Sequence, residues 1–152
     1  MLAKTDRLIL KELQDDFPIV SRPFAQVSEK IGLSEEDLIR RIKVLKKRKL
    51  IRYIGAIFEG KKLGIKSTLV AMSVPKKDLA RVIGVINSYL QVSHNYLREG
   101  EFNIWFTLSA PSITRLTGLL KQIKQKTGIT KILNLETVRV YKVDARFKLN
   151  NK

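Results

Sequence analysis

The sequence predicts an α+β protein of two small modules, a helical one over residues 1–60 and an alternating one over residues 61–152. Two patterns carry this expectation. Apolar residues in the first fifty positions recur at helical spacing, in three stretches separated by proline or glycine. Beyond them, short β-branched runs alternate with two stretches of helical spacing, each opened by proline. A length of 152 residues with 44% apolar composition suffices for one domain or two small cores.

In the first module, Ile9, Leu10 and Leu13 mark one face of a helix over Thr5 to Gln14. Asp16-Phe17-Pro18 ends it, because a residue before proline is pushed out of α space. Pro23 suits the first turn of a second helix, with Phe24, Val27 and Ile31 at i, i+3 and i+7 and Gly32 at its end. Ser34 with Asp37 resembles a capping box, and Leu38, Ile42 and Leu45 then form the buried stripe of a third helix. The other face of that helix carries Arg40, Arg41, Lys43, Lys46 and Lys47. From Arg40 to Arg52 there are eight basic residues and no acid. Leu50 to Phe58 is rich in β-branched and aromatic types and is expected to be a strand. Three helices, a short turn before the third, and a following strand describe a winged helix-turn-helix, bounded by Glu59-Gly60-Lys61-Lys62.

The second module reads strand, helix, strand, strand, helix, strand, which predicts a ferredoxin-like βαββαβ sandwich with an antiparallel sheet. Ser67 to Val74 is the first strand. Pro75 opens a helix through Leu79, Val82, Ile83 and Ile86, and Pro111 opens another through Leu116, Leu119, Leu120 and Ile123. Between them, Glu99-Gly100 is expected to be a two-residue hairpin loop, since glycine tolerates the positive φ of such turns. The register that follows sets Arg98 opposite Glu101, Tyr96 opposite Asn103 and His94 opposite Trp105, all on one face. Ser93, Asn95 and Leu97 then share the other face with Phe102, Ile104 and Phe106. After Phe147 comes a short polar tail.

Thirty Lys and Arg against fourteen Asp and Glu give a formal charge of +16, which favours a polyanionic partner: nucleic acid, an acidic membrane surface or a polycarboxylate ligand. With no cysteine, disulfides, thiolate metal sites and cysteine nucleophiles are excluded. The apolar runs are too short to span a membrane and the first residues carry internal charges, so the expectation is a cytoplasmic protein without a membrane segment. Histidine is the residue type that titrates near neutrality, and this chain has one, His94. One imidazole cannot build a protein-held metal site, although it can serve as an axial ligand to a macrocycle's iron. His94, Tyr96, Arg98, Asn103 and Trp105 on one face unite an acid/base, a phenol, a carboxylate clamp, an amide and an aromatic wall. That set suits a planar anionic ligand.

Residues Ile31-Gly32-Leu33-Ser34 through Arg41, Leu45 and Leu50-Ile51-Arg52 resemble the helix-turn-helix of the leucine-responsive regulator/AsnC family, and the remainder resembles that family's ligand-binding sandwich. This implies a dimer built through the sheets. More specifically, Leu13 to Pro18 with Arg22-Pro23-Phe24, Ile51 to Phe58, Leu63-Gly64 with Ser67 to Ala71, and His94 to Arg98 with Asn103 to Thr107 resemble siroheme decarboxylase subunits. These blocks span nearly the whole chain. The resemblance implies a carboxy-lyase of haem biosynthesis that removes two acetate carboxyl groups from siroheme to give 12,18-didecarboxysiroheme. It needs no cofactor beyond the iron-tetrapyrrole substrate. His94 and Tyr96 are the implied catalytic groups, His94 being also a possible axial ligand to siroheme iron. Arg98, Arg52, Asn95, Asn103 and Trp105 are the implied substrate-binding groups. Gly100 stands where the resemblance suggests a second histidine, so pairing with a paralogous subunit in a heterodimer is implied, with a homodimer as the other arrangement. Two rivals remain: a DNA-binding regulator of the AsnC type, which is not favoured, and a non-catalytic haem or siroheme sensor.

Overall fold

The first three helices form where apolar spacing places them in this computed structural model, in which residues 2–15, 17–143 and 146–147 are described. They are α1 (Lys4–Asp15), α2 (Pro23–Ile31) and α3 (Glu35–Lys47). Pro23 occupies the first turn of α2, and Gly32 ends it at φ 69°, a left-handed conformation that glycine adopts without steric penalty. Ser34 caps α3: its Oγ accepts a hydrogen bond from the Asp37 N–H at 3.1 Å. Ile9, Val27, Leu38, Ile42, Leu45 and Ile51 meet in one small core. Full burial of each such aliphatic side chain is worth roughly 1.5–3 kcal/mol.

The expected strand over Leu50 to Phe58 does not form; these residues are irregular. Strand propensity reports how a side chain fits a pleated, half-covered surface, and it produces a strand only where a second chain segment supplies the ladder. No described segment does so here, and Tyr53, Ile57 and Phe58 are left exposed. Among the described residues the helix-turn-helix therefore has no wing strand. The chain divides into residues 1–57 with 142–152, and residues 58–141, so Lys142, Val143, Arg146 and Phe147 go with the helices rather than with the sheet. Gln14 joins them, donating from Nε2 to the Phe147 carbonyl at 3.0 Å and accepting from its N–H at 2.8 Å. The polar tail after Phe147 and Asp16 of the first helix stop lie outside the described residues.

Residues 58–141 open with a single 3-10 turn, Gly60–Leu63, and then form β1 (Lys66–Met72), α4 (Leu79–Asn87), β2 (Val92–Leu97), β3 (Ile104–Ala110), α5 (Ile113–Thr127) and β4 (Ile132–Glu136). Pro75 precedes another short 3-10 turn, Lys76–Asp78, so α4 begins later than the proline itself. Ser112 caps α5, its Oγ accepting from the Arg115 N–H at 3.1 Å. The sheet is antiparallel in the order β2-β3-β1-β4, which is the ferredoxin-like arrangement. Thr68, Val70, Met72, Ile104, Phe106, Leu108 and Ala110 turn their side chains to one face and are buried there. Apart from Thr68 they pack with Val82 and Ile86 of α4 and Leu116, Leu119 and Ile123 of α5. Alternation in β3 is complete, buried and half-buried residues succeeding one another from Ile104 to Ala110. Among the described residues of this unit, no helix packs on the opposite face of the sheet.

Candidate functional site

That helix-free face holds the groups the sequence singled out. The hairpin register differs from expectation by two residues. Tyr96 faces Trp105 and His94 faces Thr107. The Arg98 N–H donates to the Asn103 carbonyl at 2.8 Å, which makes the turn four residues, Glu99 to Phe102, instead of two. Within this longer turn Glu101 pairs with Lys131, whose ammonium also lies 5.8 Å from the Phe102 ring centroid. Glu101 is therefore not the partner of Arg98. Because side chains alternate with period two, a slip of two residues exchanges partners without exchanging faces, so His94, Tyr96 and Arg98 still share one side with Trp105.

Along the edge strand β2 and one residue past its end, these three side chains form a row. The His94 and Tyr96 rings stack with centroids 6.2 Å apart and planes inclined by 18°. Arg98 Cζ lies 6.0 Å from the Tyr96 centroid, a cation–π contact of about 0.5–1 kcal/mol at an exposed site. No carboxylate among the described residues pairs with Arg98, so its guanidinium is available to an anion from outside. Further across the face the chemistry changes. Trp105 is half-buried between Tyr96 and Ala71, and Leu69, Leu133 and Leu135 follow on β1 and β4. The face thus runs from a polar, cationic edge to an apolar middle and far side. The residues of that apolar half were not singled out from sequence, since only the ladder register shows which β1 and β4 side chains stand beside Trp105.

Three of the expected substrate-binding groups have other attachments. The Asn103 carboxamide donates to the Val74 carbonyl at 2.8 Å and accepts from the Val74 N–H at 2.9 Å, so it clips the start of β3 to the end of β1. The Trp105 indole N–H donates to the Phe102 carbonyl at 2.7 Å, leaving its ring as the group on offer. Asn95 points to the helix side, donating to Asn87 Oδ1 of α4 at 2.9 Å, while its own Oδ1 is buried without a hydrogen-bond partner. It does not join the row on β2. Arg52 belongs to the helical unit, where it is exposed.

Ser93 is a residue that sequence reasoning passed over. Between Val92, opposite Leu108, and His94, opposite Thr107, the ladder skips Ser93, which forms a β-bulge. Its Oγ lies 3.0 Å from His94 Nδ1. A cavity of about 480 Å³ lies elsewhere, lined by Glu59, Lys61, Ser67, Ile113 and Glu136 among others, and none of the row on β2 lines it. The site is an open sheet face.

A ferredoxin-like sandwich with one bare, functionalised face, preceded by a helix-turn-helix, defines a ligand-binding protein of AsnC-like architecture. Residues 62–142 match the AsnC-like ligand binding domain, and residues 6–52 match the siroheme decarboxylase NirDL-like HTH domain. An AsnC family transcriptional regulator from Agrobacterium tumefaciens shares the fold, with a TM-score of 0.77, 24% identity and 97% coverage of both chains. The siroheme decarboxylase alpha subunit of Desulfovibrio desulfuricans is 40% identical over 96% of this chain and 84% of that protein. The siroheme decarboxylase NirDL, solved in co-complex with an iron-uroporphyrin III analogue, is 31% identical with a TM-score of 0.69. That match covers 91% of this chain and 47% of NirDL, so the chain spans about half the NirDL length. The chain belongs to the family of siroheme decarboxylase subunits.

Proposed function

We propose that this chain is one subunit of a siroheme decarboxylase whose sheet face receives the tetrapyrrole, and that His94 delivers the proton that completes each decarboxylation. The observation that carries this reading is the row of imidazole, phenol and unpaired guanidinium on β2 beside the Trp105 ring. In each of two steps the bond between an acetate methylene carbon and its carboxyl carbon breaks. Carbon dioxide leaves, and the electron pair delocalises into the macrocycle. A proton then reaches the former methylene carbon, which becomes a methyl group. His94 is the acid, with Tyr96 orienting it or serving as the alternative donor. The two steps convert siroheme to 12,18-didecarboxysiroheme, and the iron belongs to the substrate.

Arginine on a departing carboxylate would stabilise the ground state along with the transition state and gain little rate. Arg98 therefore anchors a carboxylate that remains, and the departing ones lie toward the apolar side of the face near Trp105, Leu69 and Leu133. An open sheet face covers one side of a flat ligand, so a second subunit is needed to close over the other. Gly100 supports the same conclusion. Its φ of +121° disfavours any side chain, so the second histidine that the resemblance suggests would come from the partner. Mixing the chain with siroheme under anaerobic conditions, alone and with a paralogous subunit, and following spectrum and product mass tests this. Loss of two carbon dioxide molecules with both subunits present is the expected result, and unchanged siroheme sinks the reading.

The DNA-binding alternative draws less support. Glu35, Glu36 and Asp37 occupy the first turn of α3, the part of a recognition helix that meets base edges. Arg40 and Arg41 are engaged by Asp37 and Asp6.

A further inference from the structure

We infer that Ser93 is a positioning residue for His94: its hydroxyl accepts a hydrogen bond from Nδ1–H, so that Nε2 is the ring nitrogen that meets the ligand and gains and loses the proton. The inference deepens the reading of His94 as proton donor and rests on it for the direction of the bond and for its kinetic part. Successive side chains of a regular strand point to opposite faces, so Ser93 on an unbroken β2 would stand away from the imidazole. The bulge alters this. Skipping Ser93 in the ladder adds local twist, and the Oγ comes within 3.0 Å of Nδ1. On its other side the ring is stacked on Tyr96, so one edge and one plane of the imidazole are both held.

The direction of the bond follows from the proton cycle. As an acid, the ring begins with both nitrogens protonated, and the hydroxyl can then only accept from Nδ1–H. After Nε2–H has been given to carbon, the same bond persists if the neutral ring keeps its proton on Nδ1. A hydroxyl that donated to Nδ1 instead would have to reverse at every turnover. Acceptance also leaves an Nε2 lone pair directed outward, which is the atom an axial iron contact requires.

Because His94 is the chain's sole histidine, its ring nitrogens are assigned without ambiguity in the ¹⁵N-labelled full-length protein. Multiple-bond ¹H–¹⁵N spectra, recorded above the pH at which the ring becomes neutral, report the tautomer directly. The wild-type chain is expected to show mainly the Nδ1–H form. Ser93→Ala is expected to revert to the Nε2–H form that unrestrained imidazole prefers, and Ser93→Thr to retain the wild-type pattern. With an unlabelled partner subunit and siroheme, Ser93→Ala is expected to lower kcat about tenfold with little change in KM, and Ser93→Thr to restore it. Identical tautomer populations in wild type and Ser93→Ala overturn the inference, as does a changed tautomer with undiminished kcat. A changed tautomer in a protein pair that never consumes siroheme leaves Ser93 as the orienting group and removes the decarboxylase reading.

Discussion

Asn103 holds Val74 by both of its backbone polar groups, accepting from the N–H at 2.9 Å and donating to the carbonyl at 2.8 Å. Its own backbone is equally committed, the N–H to Met72 and the carbonyl to Arg98. One side chain thus ties the β1 exit to the hairpin that carries Arg98. Asn103→Ala is predicted to destabilise the sandwich by about 1–3 kcal/mol, because the Val74 groups lose their partner. Thermal unfolding should shift down by several degrees while the folded fraction keeps its KM for siroheme. A raised KM at unchanged melting temperature would return Asn103 to the substrate.

His94→Ala, assayed with the partner subunit, is predicted to lower kcat by about 10²–10⁴, the usual range for a positioned general acid. The ring is exposed, so the fold should be unaffected. Siroheme titrations followed by absorbance should show that the variant still binds. Wild-type turnover in the variant would remove His94 from the chemistry.

Arg98→Met should act on binding. Losing a charge-assisted contact to a carboxylate costs roughly 1.5–3 kcal/mol, or about 10–100-fold in affinity. We expect KM to rise by that factor with kcat nearly constant. A fall in kcat alone would mean that Arg98 acts in the transition state and is not an anchor.

The α3 cap gives a pH prediction with a definite sign. The Arg40 side chain, followed by Ser34, holds the Asp37 carboxyl below its ordinary value of 3.8. A group depressed in the folded state stabilises above its unfolded value, and that contribution is lost as pH falls through the folded value. Urea midpoints of the wild type should therefore decline below about pH 4, and Asp37→Asn should flatten that decline. Ser34→Ala should cost about 1 kcal/mol at neutral pH through loss of the N-cap. An identical acid limb in Asp37→Asn would assign the slope to other carboxylates.

Retention on duplex DNA is predicted to be weak, indifferent to sequence and abolished by moderate salt, since phosphate contacts without base readout behave in that way. Electrophoretic shifts at several salt concentrations check this. A protected sequence footprint surviving physiological salt would restore the regulator reading.

From residues alone, the helices of both units were legible, because the spacing of Leu38, Ile42 and Leu45, or of Leu116, Leu119 and Ile123, is a local property that packing reinforces. The βαββαβ order was legible for the same reason, and so was the face shared by His94, Tyr96, Arg98 and Trp105, since the period of two survives a slip of two. What the tertiary structure decided is everything that depends on a distant partner. Lys131 takes Glu101, Val74 takes the Asn103 amide, and no ladder forms for residues 50–58. The bulge that brings Ser93 to His94 is of the same kind, because a skipped residue exists only relative to the strand it fails to pair with.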